Sequence, residues 1–279
     1  MNNRALNSDQ IDQFIQYLIR EERSEATVEK YERDVKKFMT YMQGAEVTKE
    51  AVIAYKQWLQ VKEYAVRSIN SMLASLNSLL DFLGWSECKV KLIKQQKEIY
   101  CSEEKELTKA EYVRLLQAAK RKPQLQLVMQ IICSTGIRVS ELRFFTMEAV
   151  KKGEIKVNCK GKSRTILLPG KLKVLLLQYA KKEIIRFGMI FLGHTGKPLN
   201  RSCIWAQMKE LCRKAGVNPK KVFPHNLRKL FARTFYGIEK DIAKLADILG
   251  HSSIDTTRIY IISTGLEHRK QIERLNLII

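Results

Sequence analysis

Tyr260, near the C-terminus, lies nine residues after His251, and the pair His225 and Arg228 lies just upstream. A further arginine, Arg138, closes a Thr-Gly-Ile-Arg stretch in the middle of the chain. A phenol ionises near pH 10, so it acts as a nucleophile only where cations and a proton acceptor surround it. The planar fork of arginine binds two oxygens of a phosphate and offsets the negative charge that they gain in the transition state. These residue types in this order indicate a site that binds a phosphate group and attacks it with a tyrosine.

The helices predicted around these residues can point them into one cleft. His225 and Arg228 are three residues apart, which places both on one face of a helix. A capping box of Ser252 and Asp255 predicts the start of the next helix, with Tyr260 on its second turn. Taken singly, each motif is more often structural than catalytic, so the combination carries the prediction.

Two further residues are expected to complete the site. His251 falls between two predicted helices, where its imidazole can point into a cleft. Glu141 lies one helical turn after Arg138 and can orient that guanidinium. No cluster of carboxylates accompanies the arginines, and the six cysteines show no Cys-x-x-Cys spacing. The sequence therefore predicts neither a metal site nor a cofactor.

The charge balance indicates a polyanionic partner. Lysine and arginine number 50 against 29 aspartates and glutamates, a net charge of +21 over 279 residues. Such an excess favours fast, salt-sensitive association with nucleic acid, although a merely soluble basic protein would also show it. The polar start lacks the apolar stretch of a signal peptide, and no run of about 18 apolar residues could span a bilayer. The cysteine spacing favours reduced thiols, so we expect a cytoplasmic protein without membrane association.

A predicted β-hairpin carries further cations. Residues 154–159 alternate polar and apolar side chains, residues 165–168 form a second predicted strand, and a glycine allows the turn between them. A lysine at such a tip is usually just solvated, but next to a phosphate it can donate a proton. Lys160 is the preferred candidate for this acid and Lys162 the alternative. Lys162 and Arg164 are also expected to contact DNA.

The N-terminal part predicts four amphipathic helices, the first capped by Ser8 and the fourth ending at Gly84. Their apolar stripes recur at helical spacing and are most simply the core of a bundle. Periodicity alone leaves open whether the outer lysines and arginines of these helices are solvated or face DNA. A basic stretch follows the fourth helix. We expect four lysines of this stretch to bind DNA: Lys89, Lys91, Lys94 and Lys97.

A new helix opens after this stretch, with a capping box of Thr108 and Glu111. The predicted organisation is a helical DNA-binding domain over residues 1–97, a linker over 98–106 and a second domain over 107–279.

Taken together, the motifs resemble those of the tyrosine recombinases, also called the phage integrase family. They fill six of that family's functional positions, namely Arg138, Lys160, His225, Arg228, His251 and Tyr260. Many members have a second histidine directly after the His-x-x-Arg motif, where this chain has Lys229; the chemistry does not require it. The first helix starts near Ser8, which leaves no room for the extra N-terminal domain of some integrases. This favours the simple two-domain type, similar to Xer-like recombinases and mobile-element integrases.

The resemblance implies a mainly α fold. A four-helix SAM-like core-binding domain would precede a mixed, mostly helical catalytic domain with a small β-hairpin. It also implies a chemistry. Tyr260 would attack a DNA phosphodiester to form a 3′-phosphotyrosine and release a 5′-hydroxyl, with Lys160 as general acid and His225 as general base.

The remaining positions would bind the phosphate. Arg138 and Arg228 would hold it, His251 would hydrogen-bond it, and Glu141 would orient its neighbour. The partner would be double-stranded DNA, with a homotetramer on two DNA sites and a monomer in their absence. The tail from Glu267 to Ile279 would dock either in a neighbouring protomer or on its own domain.

The function that the resemblance implies is site-specific DNA recombination, for integration or excision of a mobile element, inversion, or Xer-like resolution. A non-catalytic DNA-binding or architectural protein of the same fold is the alternative, and it predicts the loss of one or more of the six positions. A type IB topoisomerase or hairpin-forming resolvase fits the compact two-domain layout less well. A metal-dependent nuclease would require clustered carboxylates. All six positions are filled, which favours the recombinase.

Overall fold

The computed structural model describes residues 4–94, 103–159, 162–193, 195–262, 269–270 and 272–275. Backbone contacts divide the chain into two compact units, residues 1–97 and residues 98–279. Helices predominate among the described residues, and one two-stranded antiparallel sheet accompanies them. The mainly α class predicted from the sequence is confirmed. In the part of the chain that the structure describes, no helix is long and apolar enough to cross a membrane.

Four helices build the first unit and turn their apolar stripes towards one core. They are α1 (Ser8–Arg20), α2 (Glu25–Met42), α3 (Lys49–Val61) and α4 (Val66–Phe82). Asn7 caps α1, where Ser8 was expected. The Asn7 side chain accepts from the backbone N–H of Gln10 at 2.9 Å, and the Gln10 side chain accepts from the backbone N–H of Asn7. The fully buried core side chains include Phe14, Phe38, Leu59 and Leu76.

A basic segment, residues 89–94, follows α4 and is fixed to it by two asparagines. Asn77 exchanges two hydrogen bonds with the backbone of Val90, at 2.9 and 3.1 Å. Asn70, two turns earlier on α4, does the same with Ile93 at 2.9 and 2.8 Å. The side-chain amides replace a β-strand partner for this backbone, so the segment has a defined course along α4.

The second unit is built from eight further helices in the described residues. They are α5 (Lys109–Ala118), α6 (Pro123–Thr135), α7 (Met147–Lys152), α8 (Gly170–Lys182), α9 (Arg201–Ala215), α10 (Pro224–Glu239), α11 (Ile242–Leu249) and α12 (Ile254–Ile261). The capping box of Thr108 and Glu111 predicted for α5 is present. The central α6 buries a mostly apolar face, and α10 packs against both α6 and α12. This packing brings the ends of three helices together.

A β-hairpin lies between α7 and α8. Its strands are β1 (Glu154–Cys159) and β2 (Lys162–Leu167), paired antiparallel. The second strand begins at Lys162 and not at the predicted Thr165, because Lys162 is already paired with Cys159. The predicted hairpin is therefore present, with a longer second strand.

Candidate active site

The turn after α6 presents Arg138. Gly136 closes α6 in the left-handed conformation, with φ of 66°. A β-carbon on Gly136 would lie 2.4 Å from Cδ1 of Phe231 and 2.9 Å from Cδ2 of Leu249. Glycine is required here for both reasons. The chain then reverses and places Arg138 directly before a 3-10 turn over Val139–Phe144.

Arg228 projects from the first turns of α10 into the interior and is 1% exposed. Its Nη1 donates to the carbonyl oxygen of Gly136, and its Nη2 donates to that of Leu249 at 2.7 Å. Burial, followed by the charge of Arg138, lowers the pKa of Arg228 to about 10, so it remains a cation at neutral pH. The carbonyl acceptors are neutral, so its charge stays available for an anion. Its Nε–H group is buried and has no acceptor among the described residues.

Glu141 is fully buried, and two arginines share its carboxylate. Its Oε1 accepts from Nη1 of Arg138 at 3.2 Å, and its Oε2 accepts from the backbone N–H of Arg138 at 2.8 Å. Oε2 also accepts from Nη2 of Arg164 at 2.8 Å. The carbonyl of Gly250 provides a further acceptor for Arg138, at 3.3 Å from Nη2. Arg138 is thus fixed from one side while 43% of its side chain stays exposed, a geometry that fits the orienting role expected of Glu141.

His251 lies at the junction of α11 and α12. Its Nε2 lies 2.9 Å from Nη2 of Arg228, and its Nδ1 lies 2.8 Å from Oγ1 of Thr257. A guanidinium only donates, so Nε2 accepts here, and the ring proton is on Nδ1, from which it is donated to Thr257. Burial, followed by the charges of Arg228 and Arg138, lowers the pKa of His251 to about 4, so the ring is neutral at pH 7.

The start of α12 differs from the prediction by one residue. Ser253 caps this helix, where Ser252 was expected. The backbone N–H of His251 donates to the carbonyl oxygen of Ala246 in α11, so Ser252 lies in the turn between α11 and α12. Tyr260 lies on the second turn of α12, as predicted.

The Tyr260 side chain packs against both histidines. Its ring centre lies 5.0 Å from that of His225 and 5.1 Å from that of His251. The guanidinium carbon of Arg228 lies 5.9 Å from the same ring centre, and Tyr260 is 7% exposed. The phenol, both imidazoles and the buried guanidinium therefore come together within one chain.

His225 is the member of this group with the most access to solvent. Partial loss of hydration, followed by the charges of Arg228 and Lys229, lowers the pKa of His225 below that of an ordinary histidine. Its ring is therefore neutral at pH 7 and able to accept a proton. A cleft of about 480 Å³ is lined by Arg138, His225, Arg228 and Tyr260 together.

Comparison with known proteins identifies the family of this chain. Residues 105–265 match the model of the phage integrase family, and residues 11–87 match its N-terminal SAM-like domain. The chain belongs to the phage integrase family. The tyrosine recombinase XerA of Pyrococcus furiosus is 30% identical over 286 aligned residues, which cover 100% of this chain and 98% of that protein. The tyrosine recombinase XerD of Listeria monocytogenes is 27% identical over 93% of this chain and 95% of its own length. The chain is accordingly a tyrosine site-specific recombinase.

Solved structures agree on the fold. A lambda integrase fragment, in a dimer bound to a core site, superposes with a TM-score of 0.74 at 18% identity, covering 93% of this chain and 96% of the fragment. The crystal structure of XerA recombinase gives a TM-score of 0.54 at 23% identity, covering 95% and 97% of the two chains. The SAM-like domain and the integrase catalytic domain predicted from the sequence are both confirmed.

The structure gathers five of the six predicted catalytic residues of this recombinase: Arg138, His225, Arg228, His251 and Tyr260. The sixth, Lys160, lies outside the described residues, as does Lys97. Lys162 begins β2, and its side chain is likewise not described.

The remaining lysines of the basic segment lie at the surface of the first unit. Lys91 and Lys94 are exposed. Lys89 forms an ion pair with Asp81 at 2.7 Å, and both side chains are partly exposed. Such surface pairs contribute little to stability, so Lys89 can exchange this partner for a phosphate at small cost.

Arg164 departs from expectation. It was expected to contact DNA, but its side chain is 15% exposed and is bonded to Glu141 and to the carbonyl oxygen of Leu249. Strand alternation is the reason: Arg164 lies on the same face of β2 as the buried Ile166 and is paired with the buried Val157. The period of two in the sequence already contained this signal.

Sequence reasoning also missed three residues around the site. Thr257, fully buried, bonds His251, and its position one turn before Tyr260 on the same helix was the available signal. Arg143 and Arg201 line the cleft beside His225. Arg201 opens α9 directly after its cap, a position from which a side chain reaches the solvent.

Proposed function

We propose that Tyr260 is the nucleophile with which this recombinase cuts and rejoins duplex DNA. The observation that carries the proposal is the packing of its phenol against two neutral imidazoles and a buried guanidinium of the same chain. A tyrosine is a weak nucleophile, and this surrounding supplies both a proton acceptor and cations.

In the proposed step, the Tyr260 hydroxyl oxygen attacks the scissile phosphorus while His225 takes the phenolic proton. The bond from phosphorus to the 5′-oxygen breaks, and the resemblance assigns Lys160 to protonate that oxygen. A 3′-phosphotyrosine and a free 5′-hydroxyl result. The linkage conserves the energy of the broken bond, so a 5′-hydroxyl of a partner strand can reverse the reaction without a nucleotide cofactor.

The two site arginines fit the phosphate from different directions. Arg228 contributes a buried charge whose acceptors are all neutral, namely two main-chain carbonyls and the ring of His251. Arg138 contributes an exposed guanidinium fixed by Glu141. Fixed donors of this kind stabilise developing charge without having to reorganise during the reaction.

His251 would join them by hydrogen-bonding a phosphate oxygen. For that it must carry its proton on Nε2, opposite to the tautomer present here. The hydroxyl of Thr257 accommodates either form, since it accepts from Nδ1–H in one and donates to Nδ1 in the other.

Double-stranded DNA is the proposed partner. The chain carries a net charge of +21, and Lys91 and Lys94 are held at the surface by the fixed basic segment. A lambda integrase tetramer bound to a Holliday junction superposes with a TM-score of 0.72, which supports a homotetramer on two DNA sites. Chromosomal or mobile-element DNA as substrate would place the protein in the cytoplasm.

Capture of covalent adducts tests the proposal. Protein is isolated under denaturing conditions from cells that make the chain, and the attached DNA is sequenced. The Tyr260→Phe variant is compared with Tyr64→Phe, which removes the same hydroxyl from an exposed tyrosine of the first unit.

We expect adducts at discrete sites with the unchanged chain and with Tyr64→Phe, and none with Tyr260→Phe. The locations of those sites would separate integration or excision of a mobile element from resolution or inversion. DNA binding without adducts from any of the three proteins would refute the proposed chemistry and favour the non-catalytic alternative.

A further inference from the structure

Arg164 has no part in the steps above, yet its side chain lies within the framework of the site. Its guanidinium is part-buried on the core side of β2. Burying a charged group costs free energy unless it is well hydrogen-bonded, so the hydrogen-bond partners of this guanidinium indicate its role.

One of those partners supports Arg138 directly, and another lies next to the second support of Arg138. Nη2 of Arg164 donates to Oε2 of Glu141 at 2.8 Å, and the same carboxylate accepts from Arg138. Nη1 of Arg164 donates to the carbonyl oxygen of Leu249 at 2.8 Å. The next carbonyl, that of Gly250, accepts from Nη2 of Arg138 at 3.3 Å. A single side chain thus bonds the carboxylate that holds the exposed arginine and the carbonyl next to its other acceptor.

The turn is shaped to admit this guanidinium. A β-carbon on Gly250 would lie 2.2 Å from Nη1 of Arg164, and Gly250 has a φ of +64°. The carbonyl oxygen of Leu249 also accepts from the buried Arg228 at 2.7 Å, so Arg164 shares a support with that arginine as well.

We propose that Arg164 is a positioning residue for phosphate binding. It holds Glu141 and the Leu249–Gly250 turn in place, so that Arg138 faces the scissile phosphate with its guanidinium already oriented. It thereby couples the hairpin to the helix junction that carries His251. This inference rests on the proposed function of the site.

The test is single-turnover cleavage at saturating protein, on a duplex that carries a site recovered by adduct capture. The cleavage position holds either the natural phosphodiester or a methylphosphonate, which lacks one charged oxygen. Arg164→Met keeps the apolar stem and removes the charge and the donors. Lys156→Met is the matched control, because Lys156 is an exposed cation on the paired strand.

We expect Arg164→Met to lower the cleavage rate constant by about 10-fold to 100-fold, less than the roughly 100-fold to 1,000-fold loss typical when a direct transition-state donor is removed. The Kd for DNA should change little. The defect should shrink on the methylphosphonate, as should that of Arg138→Met, because less charge then has to be offset. Arg164→Lys should restore part of the rate, and Lys156→Met should cleave like the unchanged chain.

An equal loss on both substrates, a loss confined to the Kd, or an unchanged rate would each overturn the inference. If the unchanged chain yields no cleavage, the proposed function fails instead. The positioning role is then decided without DNA, from the ¹⁵Nε resonance of the Arg138 side chain. That resonance should shift in Arg164→Met and not in Lys156→Met, and an unshifted resonance in both would refute the role.

Discussion

Replacing Gly136 by alanine tests whether the close approach of α10 and α11 to the Arg138 turn sets the geometry of the site. Gly136 has a φ of +66°, and its added β-carbon would meet Phe231 at 2.4 Å and Leu249 at 2.9 Å. The left-handed conformation costs an alanine roughly 1–2 kcal/mol. Forcing extra volume into a packed region adds typically about 1–3 kcal/mol. The expected loss in the free energy of unfolding is therefore about 2–5 kcal/mol.

Gly216→Ala is the matched control. Gly216 caps α9 in the same unit with a φ of +59°, and no described atom lies within 4 Å of the added β-carbon. It should lose only the conformational part, roughly 1–2 kcal/mol. The two variants should then differ by about 1–3 kcal/mol, which corresponds to roughly 2–12 °C in the Tm of a unit of this size.

The assay is thermal unfolding of the full chain followed through the transition of the second unit, with single-turnover cleavage measured in parallel. Gly136→Ala should also slow cleavage, because it displaces Leu249, whose carbonyl oxygen accepts from Arg228. Equal shifts of Tm in the two variants would refute the steric argument. A large shift of Tm with an unchanged cleavage rate at low temperature would refute the link between this contact and the site.

Four further outcomes follow from the site. Thr257→Val removes the hydroxyl that bonds both tautomers of His251, so the single-turnover cleavage rate should fall about tenfold, which corresponds to about 1.4 kcal/mol in the activation free energy. Thr257→Ser should restore most of the rate. An unchanged rate in the valine variant would contradict the tautomer argument. Glu141→Gln leaves two guanidinium groups facing an amide and should lower the free energy of unfolding in urea by about 3 kcal/mol. The cleavage rate should fall more than the DNA affinity. An unchanged free energy of unfolding would show that the carboxylate charge is not needed. The lowered pKa of His225 should keep cleavage on its plateau as the pH falls through about 6.5, and an acid limb centred at or above that value would exclude it as the base. The pKa of His251 is about 4 in the folded state, so the stability that this histidine contributes is complete above about pH 6.5 and is lost as the pH falls towards 4. Over this pH range, the urea midpoint of His251→Gln should therefore fall less than that of the unchanged chain.

The sequence predicted most of the helices and the catalytic residues because their signals are local. Helical spacing and the Thr108 capping box define elements within a few residues, and the structure contains them. The errors at Ser8 and Ser252 are each one residue in size, because neighbouring polar residues compete for the same cap and packing decides between them.

The main-chain supports of the site could not be predicted from the sequence. Arg228 and Arg138 donate to main-chain oxygens, and a carbonyl is present at every position whatever its side chain. Only the fold determines which carbonyls converge. The inward direction of Arg164 was in principle readable from strand alternation, but its proximity to two basic neighbours favoured a surface interpretation.

The use of main-chain acceptors has a consequence for how this recombinase can diverge. The oxygens of Gly136, Leu249 and Gly250 hold the two arginines, so mutation at these positions acts through backbone conformation and leaves the acceptor atoms themselves in place. Selection on Leu249 therefore concerns packing volume, whereas at the two glycines it concerns the left-handed conformation and the space beside it. Exchanges of the surrounding apolar residues that preserve this backbone should therefore keep the same pair of oriented guanidinium groups. A search for distant relatives would accordingly gain more from the two glycines and their spacing to the arginines than from overall identity, which is 18% and 23% for the lambda integrase fragment and the XerA structure compared above.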